Sequence, residues 1–294
     1  MNGFVILDKG EGVTSFRAAA MLRRIYNEKK TGHTGTLDPM ATGVLPVALG
    51  KATRFIDFIP HTDKGYRARF RFGTVTDTLD ITGTVLSTKI ADISRQQVEE
   101  VLSFFRGNIM QLPPMYSAIS KDGVRLYELA RKGIEVEREK RAVTIKKLEL
   151  TEYENDGEFE IDVLCTKGTY IRSLISDIGE KTGFGAVMTS LDRTLANGFD
   201  KSVAKTIEEI EKEGESAVLG TDFPFMCYPR VSVTDNQAKR FLNGGELSSD
   251  RLRTDISVSL YRVYSPDGRF LGLGEIKKED MSTLIVKRVM GNEQ

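Results

Sequence analysis

The chain has 294 residues, 40% of them hydrophobic and 29% charged, and 42 basic side chains balance 42 acidic ones. Those proportions describe an ordinary globular protein holding one large domain, or a large and a small one, and zero net charge gives no argument for a nucleic-acid partner. No apolar run approaches the roughly 18 residues of a membrane helix, the amino terminus lacks a basic leader with a long apolar core, and two cysteines with two histidines supply neither a disulfide framework nor a zinc site, so a cytoplasmic protein without metal is expected.

Phe4–Asp8 reads as a short apolar strand, followed by a turn at Lys9-Gly10-Glu11-Gly12. Thr14-Ser15 offers a cap for a helix through Tyr26, with Phe16, Ala19, Ala20 and Arg23 at helical spacing. Lys9 reads as an exposed lysine, or as one that reaches Asp8 or a phosphate. From Gly32 to Arg54 glycine, proline and threonine crowd together, so the first half of that stretch is expected to be a shaped loop. Pro39 pushes Asp38 out of the helical region into extended backbone. Asp38 is then either a turn cap or a carboxylate presented for chemistry. Gly50-Lys51 invites a phosphate-loop reading, but six residues separate Gly43 from Gly50 where that motif requires four. A short helix is expected over Lys51–Ile59, ended by Pro60.

Gly65–Gly73 is the clearest strand: Tyr66, Ala68, Phe70 and Phe72 alternate with Arg67, Arg69 and Arg71. The arginine face reads either as charge protecting an edge strand or as a track for a phosphate backbone. Tyr66 by itself reads as a core aromatic, and Asp77 as a solvated loop acid. Ser94 with Gln97 predicts a capping box opening a helix that faces the core with Val98, Val101, Leu102 and Phe105. The prolines of Gln111-Leu-Pro-Pro-Met-Tyr-Ser-Ala-Ile-Ser120 predict an extended wall, in which Tyr116 and Ser117 either meet a ligand or hold the wall in place. Leu126-Tyr127-Glu-Leu-Ala-Arg131 follows. Arg141–Tyr153 and Phe159–Cys165 predict a hairpin around Asn155-Asp156-Gly157. Gly168 then bends the chain into a helix with Tyr170 and Arg172 in its first turn, a place suited to anion recognition.

Ala186–Leu195 contains Leu191-Asp192-Arg193, and Ser202–Gly214 reads as a charged amphipathic helix. Sequence character changes near Pro229. Beyond it come a helix over Asp235–Leu242 and strands near Ile256–Val263, Phe270–Ile276 and Leu284–Arg288. Charge is uneven along the chain: residues 1–80 hold 12 Lys/Arg against 8 Asp/Glu (+4), residues 121–147 hold 9 against 5 (+4), and residues 200–217 hold 3 against 6 (−3). A phosphate-binding face can be built from the first two segments.

Gly-His-Thr-Gly-Thr-Leu-Asp-Pro-Met-Ala-Thr-Gly-Val-Leu-Pro at Gly32–Pro46 resembles, without a gap, the signature of the TruB family of tRNA pseudouridine synthases. Gln111–Ser120 and Gly168-Thr-Tyr-Ile-Arg172 are similar to further segments of that family, strongly up to about Phe199 and more loosely after it. One departure is Gly10, where the family pattern has proline, which loosens that turn and removes no reacting group. The resemblance implies an α/β fold with a large mixed, mostly antiparallel sheet flanked by helices over residues 1–228. It also implies a small β-rich, PUA-like RNA-binding domain over 229–294. It carries the catalytic aspartate onto Asp38, an aromatic lying against the target base onto Tyr66, and the aspartate's arginine partner onto Arg172. Leu191 would pack over the base and His33 would enter the RNA loop, whereas a lone histidine in such a loop otherwise reads as a hydrogen-bonded structural residue. Tyr170, Arg67, Arg69 and Arg71 complete the expected substrate contacts.

The implied reaction turns the T-loop uridine of tRNA, position 55, into pseudouridine in a monomer, with no cofactor or metal and no protein partner. Two other classes remain open. One is a non-catalytic RNA-binding module, which the intact set of Asp38, Tyr66 and Arg172 opposes. The other is a synthase working inside a guide-RNA complex, against which stand the stand-alone form of the signature and the lack of long basic tails.

Overall fold

The computed structural model describes residues 1–60, 63–153, 157–252, 257 and 259–291. Asn155 and Asp156 of the expected hairpin turn, and Ile256 of an expected strand, lie outside them. In chain order the first half comprises β1 (Gly3–Lys9), α1 (Ser15–Ile25), β2 (Thr31–His33), β3 (Thr42–Leu49), β4 (Lys64–Phe72), β5 (Thr74–Thr76), β6 (Val85–Thr88), α2 (Arg95–Leu102) and β7 (Gly107–Gln111). Then follow β8 (Ser120–Lys121), β9 (Val124–Arg125), α3 (Leu126–Arg131), β10 (Arg141–Tyr153), β11 (Glu158–Cys165), α4 (Ile171–Thr182), β12 (Ala186–Ala196), β13 (Phe199–Asp200) and α5 (Ile207–Glu213). The chain closes with β14 (Arg230–Ser232), α6 (Asp235–Leu242), β15 (Leu247–Ser248), β16 (Ser259–Tyr264), β17 (Phe270–Lys277) and β18 (Asp280–Val289).

Among the described residues a nine-stranded sheet runs in the order β1-β3-β12-β4-β11-β10-β7, with β2 added to β3 and β13 to β12. β3 and β12 are parallel where they meet, and the other neighbours are antiparallel. The expected mixed, mostly antiparallel sheet with helices is therefore the fold. β4 lies in its middle, between β12 and β11, and not at an edge. Its inward residues Tyr66, Ala68, Phe70 and Phe72 are buried, and Phe70 and Phe72 meet Phe159 with ring centroids 5.6 and 5.2 Å apart. Burying each such ring contributes roughly 1.5–3 kcal/mol, which sets the register of this strand. A slip by one residue would put three arginines into the core.

Three helices differ from expectation. α1 is capped by Thr14 as expected, but its core face is Ser15, Ala18, Ala19 and Leu22, and Phe16 is 79% exposed. Ser15 Oγ sets that phase, because it donates to the carbonyl of Leu37 and accepts from the Leu37 N–H. The helix expected over Ser202–Gly214 shortens to α5, opened by a Thr206–Glu209 capping box. The residues before it are held extended, since Lys205 exchanges backbone hydrogen bonds with Ile6 and Asp8 of β1. The Ser94–Gln97 capping box forms on α2 as expected. The helix expected over Lys51–Ile59 is a run of tighter 3-10 turns over Gly50–Phe58.

The C-terminal strands form a separate five-stranded sheet, order β14-β16-β17-β18-β15, around its own core of Val231, Phe241, Tyr261, Val263, Leu271 and Leu284. A second cluster crosses the seam to the large sheet: Phe55 lies 6.1 Å from Phe225 and 5.7 Å from Phe270, with Phe4, Ala48 and Leu273 around them.

Candidate active site

The loop between β2 and β3 carries Asp38 and is fastened on every side. Ser15 holds Leu37, the Gly12 N–H donates to the Pro39 carbonyl at 2.8 Å, and Lys9 Nζ reaches the carbonyls of Gly10, Val13 and Pro39. Lys9 is thus not an exposed lysine. It is 1% exposed, and burial lowers its pKa to about 8. At the far end of the loop Gly43 has φ +100°, and a Cβ there would fall 2.3 Å from the Arg193 carbonyl. Only glycine lets β3 approach β12 this closely. Thr42 Oγ1 donates to Asp192 across the same junction at 2.6 Å.

Asp38 opens into a cavity of about 240 Å³ lined by Lys64, Tyr66, Tyr116, Ser117, Tyr170, Arg172 and Leu191, among others. Arg172, in the first turn of α4 and buried, donates from Nη2 to Asp38 Oδ1 at 3.1 Å, and its Nε stands 2.9 Å from Oδ2. The same guanidinium donates to the Thr78 carbonyl and the Tyr116 carbonyl, both at 2.9 Å, and lies 3.5 Å from Asp80 Oδ2. The 111–118 wall is tied to the start of α4: Gln111 and Tyr170 exchange hydrogen bonds of 3.0 and 2.8 Å, and Ser173 Oγ donates to the Leu112 carbonyl. Those bonds hold the wall in place, and Tyr116 and Ser117 also line the cavity.

The electrostatics follow from burial. Burial pushes the Asp38 pKa above the ordinary carboxylate value, Arg172 pulls it back down, Asp80 pushes it up again and Lys9 opposes. Tyr66 is pushed up to about 12 by burial, so its hydroxyl stays neutral, with Arg193 beside it opposing the shift. Lys64, at the cavity wall, falls to about 8 through burial and the neighbouring Arg193 charge. Arg193 itself is 0% exposed, and its guanidinium donates to the carbonyls of Val44, Gly35 and Thr36. A buried cation thus clamps both ends of the Asp38 loop.

The structure brings together Asp38, Tyr66, Tyr170, Arg172 and Leu191. It does not bring His33 or the three arginines of β4 to this cavity. His33 sits on β2 opposite Val47 and lines a different cavity; burial lowers its pKa, and among the described residues its buried Nδ1 has no hydrogen-bond partner. Arg67, Arg69 and Arg71 lie directly opposite Asp162, Glu160 and Glu158 of β11. Arg67 Nε is 2.9 Å from Asp162, and Arg69 meets Glu160 at 2.9 Å and Glu152 at 3.3 Å. The phosphate track expected on this face is therefore met by the protein's own carboxylates. Sequence reasoning missed Lys9, Lys64, Asp80 and Arg193 as parts of the site. Lys64 and Arg193 had a signal, each two residues from a pocket residue on the same strand face; Asp80 had none. Among the described residues no cluster of His, Cys, Asp or Glu suits a metal ion, and no helix is long and apolar enough to cross a membrane.

The half-buried Asp38 carboxylate and the buried Arg172 guanidinium sit on a mixed sheet with a small β-rich appendage, a fold shared with known proteins. The solved Cbf5-Nop10-Gar1 complex contains a chain with TM-score 0.74 and 26% identity, covering 98% of this chain and 84% of that one. An H/ACA RNP bound to a substrate RNA containing 2'-deoxyuridine gives a TM-score of 0.73 at 24% identity, covering 99% and 85%, a likeness of fold. The model of the TruB family pseudouridylate synthase N-terminal domain matches residues 23–171, and that of the pseudouridine synthase II TruB C-terminal domain matches 229–290. tRNA pseudouridine synthase B of Clostridium perfringens (strain 13 / Type A) is 45% identical over 279 residues, 94% of this chain and 95% of the relative. The enzyme of that name from Chromobacterium violaceum is 43% identical over 282 residues, 94% and 91% of the two chains. The chain belongs to the TruB family of pseudouridylate synthases.

Proposed function

We propose that the protein isomerises the T-loop uridine of tRNA, position 55, to pseudouridine, acting as a single chain in the cytoplasm with residues 1–228 as the catalytic part and 229–294 adding RNA affinity. The observation that carries the reading is the Asp38–Arg172 pair opening into a cavity walled by Tyr66 and Leu191. Identity of 45% across 94% of the chain to an enzyme named tRNA pseudouridine synthase B supports the substrate. It also favours the stand-alone form over one working inside a larger complex, since identity to the matching chain of the Cbf5-Nop10-Gar1 complex is 26%.

The reaction balances without an added group. The bond from C1′ to N1 breaks, the uracil turns, C1′ bonds to C5, the C5 proton leaves to solvent and N1 takes a proton. Asp38 serves it as a carboxylate, by attack on the sugar, by attack on the base or by removal of a sugar proton. The base must first leave its stack, which costs a few kcal/mol, and stacking on an aromatic returns about 1–3 kcal/mol. Tyr66 is that platform in this reading, with Leu191 and Tyr170 enclosing the base.

The test uses purified protein alone and a T-arm stem-loop transcript tritiated at uridine C5. Wild type releases tritium from the T-loop uridine, and a transcript with cytidine at that position is silent. Asp38→Asn keeps the shape, loses the charge, binds RNA and releases none. Release by Asp38→Asn above a mock-purified control would remove Asp38 from the chemistry. No release by the folded wild type would remove the stand-alone tRNA reading.

A further inference from the structure

The α1 positions Phe16, Ala19, Ala20 and Arg23 repeat at helical spacing, yet the core takes the stripe of Ser15, Ala18, Ala19 and Leu22, which shares Ala19 alone with them. The first set instead walls a groove of about 530 Å³ whose other side is Lys29, Lys30, Thr31, Gly32, His33 and Thr53. Ala19, Ala20 and Gly32 are among its lining residues, and so is Phe16, most of whose side chain is in solvent. A single exposed phenylalanine is ordinary. Here it is joined by charge: residues 16–33 carry Arg17, Arg23, Arg24, Lys29 and Lys30 against Glu28, whose carboxylate is engaged by the Met1 amino group. Among the described residues no carboxylate pairs with Arg23, Lys29 or Lys30. These cations differ in that respect from Arg67 and Arg69, whose charges are answered within the sheet.

Chain continuity joins this groove to the reaction cavity. Thr31–His33 line the groove, and three residues later Thr36, Leu37 and Asp38 line the cavity, so one short loop separates the two. An RNA strand that delivers a base to Asp38 must carry its neighbouring nucleotides past that loop. We propose that the α1–β2 groove is a second subsite for the same RNA, holding unpaired nucleotides beside the reacting one, with their phosphates on Arg23, Lys29 and Lys30 and a base against Phe16. Flat aromatic surface next to unpaired cations is the combination that binds single-stranded nucleic acid irrespective of sequence. The assignment rests on the RNA-modifying reading above.

The test measures affinity, salt dependence and saturated single-turnover rate on full tRNA transcript for wild type, Phe16→Ala, Phe16→Tyr and Lys29→Ala/Lys30→Ala. Phe16→Ala weakens binding about tenfold, as loss of one stacked base does, and Phe16→Tyr restores it. The double lysine variant lowers the log–log salt slope by about 1.4–1.8, the sum for two lost phosphate contacts. In both, affinity falls by a larger factor than the saturated rate. Wild-type affinity and slope in folded variants overturn the groove while leaving the proposed reaction standing; an inactive wild type overturns the reaction instead. Unchanged RNA binding together with an acidic peptide held by wild type, but not by the variants, would assign the groove to a protein partner and overturn the proposal.

Discussion

Arg172 grips Asp38 from the side, with Nη2 donating to Oδ1 at 3.1 Å and Nε 2.9 Å from Oδ2, while its remaining donors are fixed on backbone. Those backbone partners, the carbonyls of Thr78 and Tyr116, come from the β5–β6 turn and from the proline wall. The guanidinium therefore does not follow Asp38 about; Asp38 is placed by a group that other segments hold still. Preorganisation of this kind costs nothing at the moment of reaction, and it makes the site sensitive to residues that never meet the substrate.

Arg193 is the first of these. Arg193→Met keeps bulk but leaves the carbonyls of Gly35, Thr36 and Val44 without their donor. Stranding buried acceptors and a charged hydrogen-bond network costs about 2–5 kcal/mol. Urea unfolding should show that loss, and turnover should fall by more than RNA affinity does, because the loop carries Asp38. Wild-type stability in Arg193→Met would show that the clamp is dispensable.

The arginine face of β4 should contribute little to RNA affinity. Arg67 and Arg69 meet carboxylates, and Arg71 lies opposite Glu158. Replacing all three by alanine is expected to leave the salt slope of RNA binding unchanged, whereas true phosphate contacts would remove about 0.7–0.9 each. A fall of about 2 or more would restore the phosphate track.

Ending the chain near Pro229 should damage the large sheet as well as binding. It deletes Phe270 and Leu273 from the cluster that buries Phe55 and Phe4. Exposing one or two such rings costs roughly 3 kcal/mol, or about 6–12 °C in Tm for a domain of that size. Calorimetry of residues 1–229 against the full chain checks this. An unshifted transition, with weakened binding alone, would make the C-terminal part a detachable affinity module.

What could be read in the sequence was what strand alternation, caps and the signature loop encode locally. Phe70 and Phe72 alternating with arginine placed β4 and its inward face, and Ser94 with Gln97 placed the start of α2. What stayed hidden depended on which strands become neighbours. Glu158, Glu160 and Asp162 alternate on β11 as the arginines do on β4, yet nothing local says the two strands pair. Asp80 joins the site because the β5–β6 turn folds back over α4, and Phe16 leaves the core because Ser15 is tied to Leu37. Both are tertiary facts that a helical or alternating period cannot express.

The pairing of Arg172 with Asp38 makes its own prediction about pH. Burial raises the Asp38 pKa, and Arg172 lowers it both by charge and by hydrogen bonding, while Asp80 raises it. In the proposed reaction the reacting form is the carboxylate, so the rate is expected to fall on the acid side as Asp38 takes a proton, at a pH above the ordinary carboxylate range. Arg172→Met removes the two lowering influences and leaves Asp80 in place, so the acid limb moves to higher pH. A neighbouring guanidinium is worth about 1–3 pKa units, and a shift of that size is expected. Part of the lost rate then returns as pH rises. Arg172→Lys keeps the charge with poorer geometry, so its acid limb stays near the wild-type position even if its rate is lower throughout. Single-turnover rates against pH, with RNA saturating at each point, separate the two contributions. A parallel drop in Arg172→Met with an unmoved acid limb would mean that the guanidinium positions Asp38 and has no part in keeping it charged.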